Sequence, residues 1–311
     1  MNKKSVLDII KSKESDCLVL GNLHENIDLK LASLKNIIEN GIYYLLTSSI
    51  ENISEIKDSL IITDQNNDQL VTNNCLVIVK NPQLTFYKLC HFFKPLKGSG
   101  IHPTAILTNV TLGKNVSIGP YCVLDSCTIG DNCLIHSHVV INNSVIIGND
   151  VEIQSQTTIG ADGVAWIWDT DGTRIVQPQF GGVIIEDNCF LGTDITIVRG
   201  SLSESTRIGK GTLIAHGTKI GHGCKIHPEV HFANNVSLAG NAEIEERVFL
   251  GSACVISSNV KVRKGCIIGA GAVVNKTIDC EYATIAGVPA KIILMNNFES
   301  KPNGAPKPIK I

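Results

Sequence analysis

The chain has 311 residues, a formal net charge of −2, 43% hydrophobic and only 5% aromatic residues. Balanced charge excludes the basic footprint of a nucleic-acid or anionic-membrane binder, and no stretch approaches the ~18 uninterrupted apolar residues of a membrane span. The opening MNKKSVLDIIKSKESD holds no apolar run of signal-peptide length, so a soluble, cytoplasmic protein of one or two domains without stable membrane insertion is expected.

Residues 1–98 mix helical spacing (Val6–Ser12, Leu31–Asn40, Leu84–Phe93) with strand-like runs (Cys17–Leu20, Tyr43–Leu46, Leu60–Ile62, Cys75–Val79). They predict a small α/β domain. The segment around Leu20-Gly21-Asn22 carries no GxGxxG, so a dinucleotide-type Rossmann unit is not supported. Lys94-Pro95-Leu96-Lys97-Gly98-Ser99-Gly100 reads as a linker.

Over 101–293 aliphatic residues recur every six positions. Ile106, Leu112, Ile118 and Leu124 keep the period; it slips by one residue and resumes through Ile129, Ile135, Ile141, Ile147, Ile153 and Ile159. It breaks over 159–182, IGADGVAWIWDTDGTRIVQPQFGG, and returns at Ile185, Leu191 and Ile197. After a smaller insertion, SLSES at 201–205, it runs unbroken from Arg207 to Ile278. There the second residue of each of twelve six-residue blocks is Ile, Leu, Phe or Val, from Ile208 through Phe232 to Val274. The sixth is small or branched, as at Thr212, Thr218, Cys224 and Ala242.

A period of six is neither the 3.6 of a helix nor the alternation of a long strand. It is the signature of a hexapeptide solenoid, each repeat one short strand and a bend. The expected fold is mainly β: a left-handed parallel β-helix of hexapeptide repeats, preceded by the small α/β domain. Three blocks close a triangular coil, so position n should lie beneath n+18, with stacked strands ~4.8 Å apart. The loop at 160–182 carries both tryptophans, Trp166 and Trp168. A long excursion from a regular solenoid is expected to serve function. Residues 294–311, rich in Pro, Lys and Asn, are expected to form a flexible tail.

Eleven cysteines, an odd number with no CxxC pair, give no disulfide or metal framework. Cys122, Cys133, Cys189, Cys224, Cys254 and Cys266 each fall four residues after a hexad aliphatic. They take the small inward site that Thr, Ala and Val fill elsewhere, where a free thiol acts as a small hydrophobe.

Residues able to carry chemistry are few. His216, His222, His227 and His231 cluster within sixteen residues. His222, in KIGHGC, takes an outward corner, and eighteen residues on lies Gly240. A corner imidazole beside a bare glycine amide combines a general base with an oxyanion donor, which acyl transfer from a thioester requires. A solvated surface histidine is the bland alternative. Neither period nor composition names the substrate.

Three stretches, NPQLTFYKLCHFFKP, GIHPTAILTNVTLGKNVSIGP and IGADG…IVQPQFGGVIIEDNCFLGTDITIVRGSL, resemble the UDP-3-O-acylglucosamine N-acyltransferases of lipid A synthesis. The resemblance implies that the small N-terminal domain binds a nucleotide, that the large loop shapes the sugar site, and that His222 is the catalytic base with Gly240 as oxyanion donor. It further implies substrate binding by Asp162, Gln179 and Arg199, and a base-stacking role for Tyr43 or Tyr44 in GIYYLLTSS. Two family positions differ: a second histidine falls on Asn259 and an aspartate on Val198. The chain also lacks the C-terminal helices that follow GxPA in that family.

The run GHGCKIHPEVHFANNVSLAGNAEIEERVFLGSACVISSNVKVRKGCIIGAGAVVNKTI…IAGVPAKII is similar to acetyl-CoA-dependent amino-sugar N-acetyltransferases. That likeness gives His222 and Gly240 the same roles and implies a coenzyme A groove lined by Gly269, Gly271, Gly287 and Lys291. The expected protein is a homotrimeric N-acyltransferase without a resident cofactor or metal. Its donor would be acetyl-CoA, another acyl-CoA or an acyl-carrier protein, and its acceptor a nucleotide-linked amino sugar. The lipid A N-acyltransferase proper is the nearest alternative. Two other classes share the repeat: a γ-class carbonic anhydrase, with zinc near His222, His227 and position 186, here Glu186, and a non-catalytic scaffold.

Overall fold

The computed structural model describes residues 1–23, 27–46, 55–66, 71, 73–94 and 100–296. Most of the expected linker and all but the first residues of the expected tail lie outside the described residues. The chain divides into two compact units, Met1–Leu96 and Lys97–Ile311.

In the first unit, helix α1 (Lys3–Lys13) opens at Asn2, whose side chain accepts from Ser5 N. Strands β1 (Leu18–Leu20), β2 (Lys30–Leu31), β3 (Gly41–Leu45), β4 (Leu60–Thr63) and β5 (Cys75–Ile78) form one sheet in the order β1-β5-β4-β3-β2. Only β1 runs antiparallel. Helix α2 (Pro82–Cys90) starts at Asn81 with Pro82 in its first turn. Val6 and Ile10 of α1 and Phe86 and Leu89 of α2 bury one face of the sheet, and Tyr43, Leu45, Ile61 and Leu76 form a core on the other.

The helix expected at Leu31–Asn40 does not form. Leu31 ends the edge strand β2, Asn36 N bonds Ser33 O at 2.9 Å in a tight turn, and Asn40 takes a left-handed φ of 58°. The reason lies in packing. Leu31 joins the core on one side of the sheet, whereas Leu34 and Ile37 join the core on the other. One helical stripe cannot serve both faces, although the spacing resembles one.

The second unit is the left-handed parallel β-helix. Its strands stack into three sheets of 9, 8 and 11 strands, and the chain visits them in that cyclic order. The hexad aliphatics point inward and are essentially fully buried from Ile118 to Val274. The spacing between stacked residues is 18 where repeats are regular, as Ile220 over Leu238. It is 17 near the start (Leu112 to Ile129), 23 across the small insertion (Leu191 to Ile214) and 38 across the large loop (Ile159 to Ile197). The uniform n+18 rule therefore holds only between insertions.

The fifth residue of each block is where the chain turns. Gly211, Gly217, Gly223, Glu229, Asn235, Asn241, Arg247 and Asn259 all take left-handed φ values there. Asn and Gly tolerate this region best, which explains their enrichment. The sixth residue is sealed inside. Thr206 Oγ1 donates to Val198 O at 2.7 Å, and the thiols substitute as weak donors, Cys224 Sγ to Ala239 O at 3.2 Å. All eleven cysteines are free, and burial raises the Cys224 thiol to about 11 and that of Cys254 to about 12. Such thiols are inert packing groups.

Phe232 is the largest hexad side chain and is 0% exposed. Phe232→Ala is expected to cost about 3–5 kcal/mol, because a narrow prism cannot collapse around the void. Denaturant unfolding checks this. A loss below about 1 kcal/mol would mean that the coil closes over the gap.

Candidate active site

Register determines what shares an edge of the prism. Strands Thr158–Ala161, Thr196–Val198, Lys219–Ile220 and Ser237–Leu238 are successive members of the 9-stranded sheet. Ile197, Ile220 and Leu238 stack directly. The residues two positions on, Arg199, His222 and Gly240, therefore occupy one edge in successive coils.

The His222 side chain is half-buried and rises toward Gly240. A Cβ built on Gly240 would lie 2.7 Å from His222 Cε1 and 2.9 Å from Cδ2, with Nε2 nearer still. The ring fills the volume of the missing side chain, so Gly240 is required by contact. Gly221 plays a parallel part: a Cβ there would lie 2.7 Å from Gly240 N. Among the described residues Gly240 N–H has no partner, whereas the equivalent corner N–H groups of Thr193, Lys210 and Lys264 donate to side chains, and Gly221 leaves it open to approach.

The opposite ring nitrogen is held by the smaller insertion. Ser201 Oγ lies 3.2 Å from His222 Nδ1. Ser201 N and Leu202 N donate to the Glu204 carboxylate at 2.6 and 3.2 Å. Its own backbone N–H first, then that of Ser201, hold the Glu204 carboxyl below the ordinary range; burial opposes them, and Leu202 N–H and the His222 charge add. The end of the large loop clamps this turn. Phe180 N donates to Ser201 O at 3.0 Å, Gly181 N to Gly200 O at 3.1 Å and Gly182 N to Glu204 O at 3.3 Å. Sequence reasoning missed Ser201 and Glu204. Their signal was the placement of SLSES just after Arg199, on the edge that bears His222.

Below His222 the same edge opens into a cavity of about 420 Å³ lined by Asp125, Asn142, Asn143, Asp162, Gln179 and Arg199. The structure thus gathers Asp162, Gln179 and Arg199. Arg199 is buried, donating to Gly160 O at 3.1 Å and Asn143 O at 2.9 Å, with Asp162 Oδ1 at 3.4 Å from Nε. Gln179 is buried and its Oε1 has no partner among the described residues. A buried unpaired acceptor is costly, so this cavity is suited to a ligand that donates hydrogen bonds. The large loop itself is a hairpin, Ala165–Trp168 against Arg174–Gln177, with the Arg174 guanidinium 5.5 Å from the Trp166 ring and 5.8 Å from Trp168.

The other expected residues lie elsewhere. Gly269 and Gly271 occupy the edge that leads from the 11-stranded sheet into the 9-stranded one, a different edge from that of His222. Gly271 takes φ +67° with open space beside it, and Gly287 and the exposed Lys291 lie in the hairpin between the last two strands. In the first unit Tyr43 is a correction. Its ring is 0% exposed and its hydroxyl both accepts from Ile38 N and donates to Ile38 O, so it is a core residue without a free stacking face. Tyr44 lines a cavity of about 400 Å³ with Ser33, Lys35, Phe86 and Tyr87, and Tyr43 lies in its wall.

The clustered histidines disperse. His216 Nδ1 accepts from Thr193 N at 2.9 Å, His227 Nε2 meets Glu243 Oε1 at 3.1 Å, and the His231 ring lies tilted against Phe249 with its pKa lowered by burial. Glu186 pairs with Arg207.

Comparison with known proteins agrees with this architecture. The bacterial transferase hexapeptide (six repeats) profile matches residues 126–161, 205–240 and 241–276, and the hexapeptide repeat of succinyl-transferase matches 182–200. The UDP-3-O-acylglucosamine N-acyltransferase of Coxiella burnetii (strain Dugway 5J108-111) is 38% identical over 181 residues, 51% of this chain and 52% of that protein. UDP-3-O-acylglucosamine N-acyltransferase 1 of Koribacter versatilis is 47% identical over 152 residues, 42% and 45% of the two chains. The chain thus spans about half the length of the curated relatives it matches. The crystal structure of UDP-N-acetylglucosamine O-acyltransferase from Moraxella catarrhalis superimposes with a TM-score of 0.56 at 26% identity, covering 63% of this chain and 74% of that one. By fold and by repeat, this chain is a hexapeptide-repeat β-helix protein similar to the UDP-3-O-acylglucosamine N-acyltransferases.

Proposed function

We propose that the protein transfers an acyl group from a thioester to the amino group of a nucleotide-linked amino sugar. The observation that carries this is the His222 imidazole lodged against Gly240, directly above a polar cavity with an unpaired buried acceptor. The sugar sits in the cavity, its hydroxyls donating to Gln179 Oε1 and the carboxylates. His222 Nε2 takes a proton as the amine nitrogen attacks the thioester carbonyl. Gly240 N–H holds the oxyanion. The C–S bond then breaks, and the imidazolium returns its proton to the departing thiolate. Taken by itself, the first unit has a cavity beside Tyr44, Phe86 and Tyr87 whose aromatic faces suit a nucleotide base.

The acyl donor runs along the glycine edge at Gly269 and Gly271, where a pantetheine arm approaches bare backbone, and Lys291 supplies a point charge to its phosphate. That edge and the His222 edge are separated by the width of the 9-stranded sheet, so one donor molecule reaches both only when edges of two copies face each other. A homotrimer supplies this arrangement. The outward residues of the 11-stranded sheet, Phe190, Leu213, Phe249 and Ile267, give it an apolar face to bury.

Acetyl-CoA is the favoured donor. The lipid A N-acyltransferase, with a hydroxyacyl-carrier protein as donor, is the second reading, favoured by the names of the curated relatives. A competition decides: acetyl-CoA and 3-hydroxyacyl-carrier protein are supplied together with a panel of nucleotide amino sugars, and products are identified by mass. An N-acetyl product is expected. A hydroxyacyl product establishes the second reading, and no thiol release with any acceptor overturns acyl transfer itself.

A further inference from the structure

The two insertions converge on one imidazole. Gly181 and Gly200 are bare where they cross the 201–204 turn: a Cβ on Gly200 would lie 2.6 Å from Glu204 C, and one on Gly181 2.6 Å from Gly200 C. Three backbone hydrogen bonds from Phe180, Gly181 and Gly182 fix the turn from the large loop, and the Glu204 carboxylate closes it from within. A surface turn of this size gains no core burial from such a fastening, since Leu202 and Glu204 are exposed. What the fastening does fix is Ser201 Oγ, 3.2 Å from His222 Nδ1.

We propose that Ser201 and Glu204 are positioning residues for His222: Ser201 Oγ accepts a hydrogen bond from Nδ1–H, selecting the tautomer whose Nε2 lone pair faces Gly240, and Glu204 holds the turn that presents Ser201. The proposal rests on His222 acting as the base. An imidazole whose Nδ1 is unassigned divides between two tautomers, and only one has a basic Nε2. Fixing Nδ1–H through a second group is the general solution for a catalytic histidine. Here the role falls to a neutral hydroxyl tethered by a carboxylate one turn away. Register explains the supply: SLSES is inserted at the His222 edge, one coil below.

The test reads the tautomer and the rate separately. In the full-length protein with ¹⁵N-labelled histidine, long-range ¹H–¹⁵N spectra assign the neutral His222 ring, with His222→Ala identifying its signals. The wild type is expected to show the Nδ1–H form, Ser201→Ala a mixture, and Ser201→Thr the wild-type pattern. In the acyltransfer assay, Ser201→Ala should lower kcat roughly five- to tenfold, the worth of one hydrogen bond, with KM for the sugar unchanged and recovery in Ser201→Thr. Glu204→Ala should give a similar loss, and the double variant no further one, since both act through one contact. An unaltered Nδ1–H form and wild-type kcat in Ser201→Ala would overturn the proposal. Full activity in His222→Ala would instead defeat the base assignment, and the spectra would still decide whether Ser201 sets the ring.

Discussion

His222→Ala is expected to lower kcat by about 10²–10⁴-fold, the usual worth of a positioned general base, equivalent to about 3–5 kcal/mol of transition-state stabilisation. Folding should be nearly unaffected, because the side chain sits half-exposed at a corner and the inward residues of its coil, Thr218, Ile220 and Cys224, are untouched. KM for the sugar should change little, since the cavity lies below the ring. His216→Ala and His227→Ala serve as controls. Those rings engage Thr193 and Glu243, on other edges. Wild-type turnover in His222→Ala together with loss of activity in either control would refute the assignment.

Gly240→Ala should be almost as damaging, for a different reason. Its backbone lies outside the left-handed region, so alanine strains nothing locally. The added methyl would instead enter the imidazole, with Cε1 at 2.7 Å. The ring must swing away, carrying Nε2 off the reacting centre, although the Gly240 N–H survives. A fall in kcat of at least about 10²-fold is expected, since ångström-scale misplacement costs that much, with thermal stability changed by only a few degrees. The decisive comparison is the double variant His222→Ala/Gly240→Ala. Removing the ring removes the collision, so the double variant should be no worse than His222→Ala alone. Independent, multiplying losses would mean that Gly240 matters for something other than housing the ring.

The two predictions draw on features of unequal visibility. The hexad aliphatics announced the coil, the inward cysteines and the stacking of His222 under Gly240, because a six-residue repeat with no insertion between positions 207 and 278 makes register a matter of counting. Where lengths change, the sequence showed the slip and the break but not the partners, and the steps of 17 and 38 residues are fixed only by strand pairing. The Ser201 contact was hidden for a related reason, as a side-chain bond from an insertion carries no period. In the first unit, Leu31, Leu34 and Ile37 mimic a helical stripe because the spacing of apolar residues does not say which side of a sheet each will meet. Tyr43 misled similarly, since an aromatic in a strand is as fit for a core as for a ligand. That the glycine edge differs from the His222 edge was countable from the three-block coil.

The final strand has a consequence for solubility. Lys291–Met295 runs antiparallel to Ala283–Ala286, whereas every other pairing in the three large sheets is parallel. A stack of parallel coils presents, at its end, a template on which another chain's coils can continue the ladder, and unprotected edges of this kind seed fibres. The reversed strand ends the 11-stranded sheet with its hydrogen-bond pattern out of phase with an incoming parallel coil. The turn through Gly287, at φ +99°, leads the chain back across that end. Among the described residues, the 11-stranded sheet thus closes on a strand that does not continue its own parallel ladder.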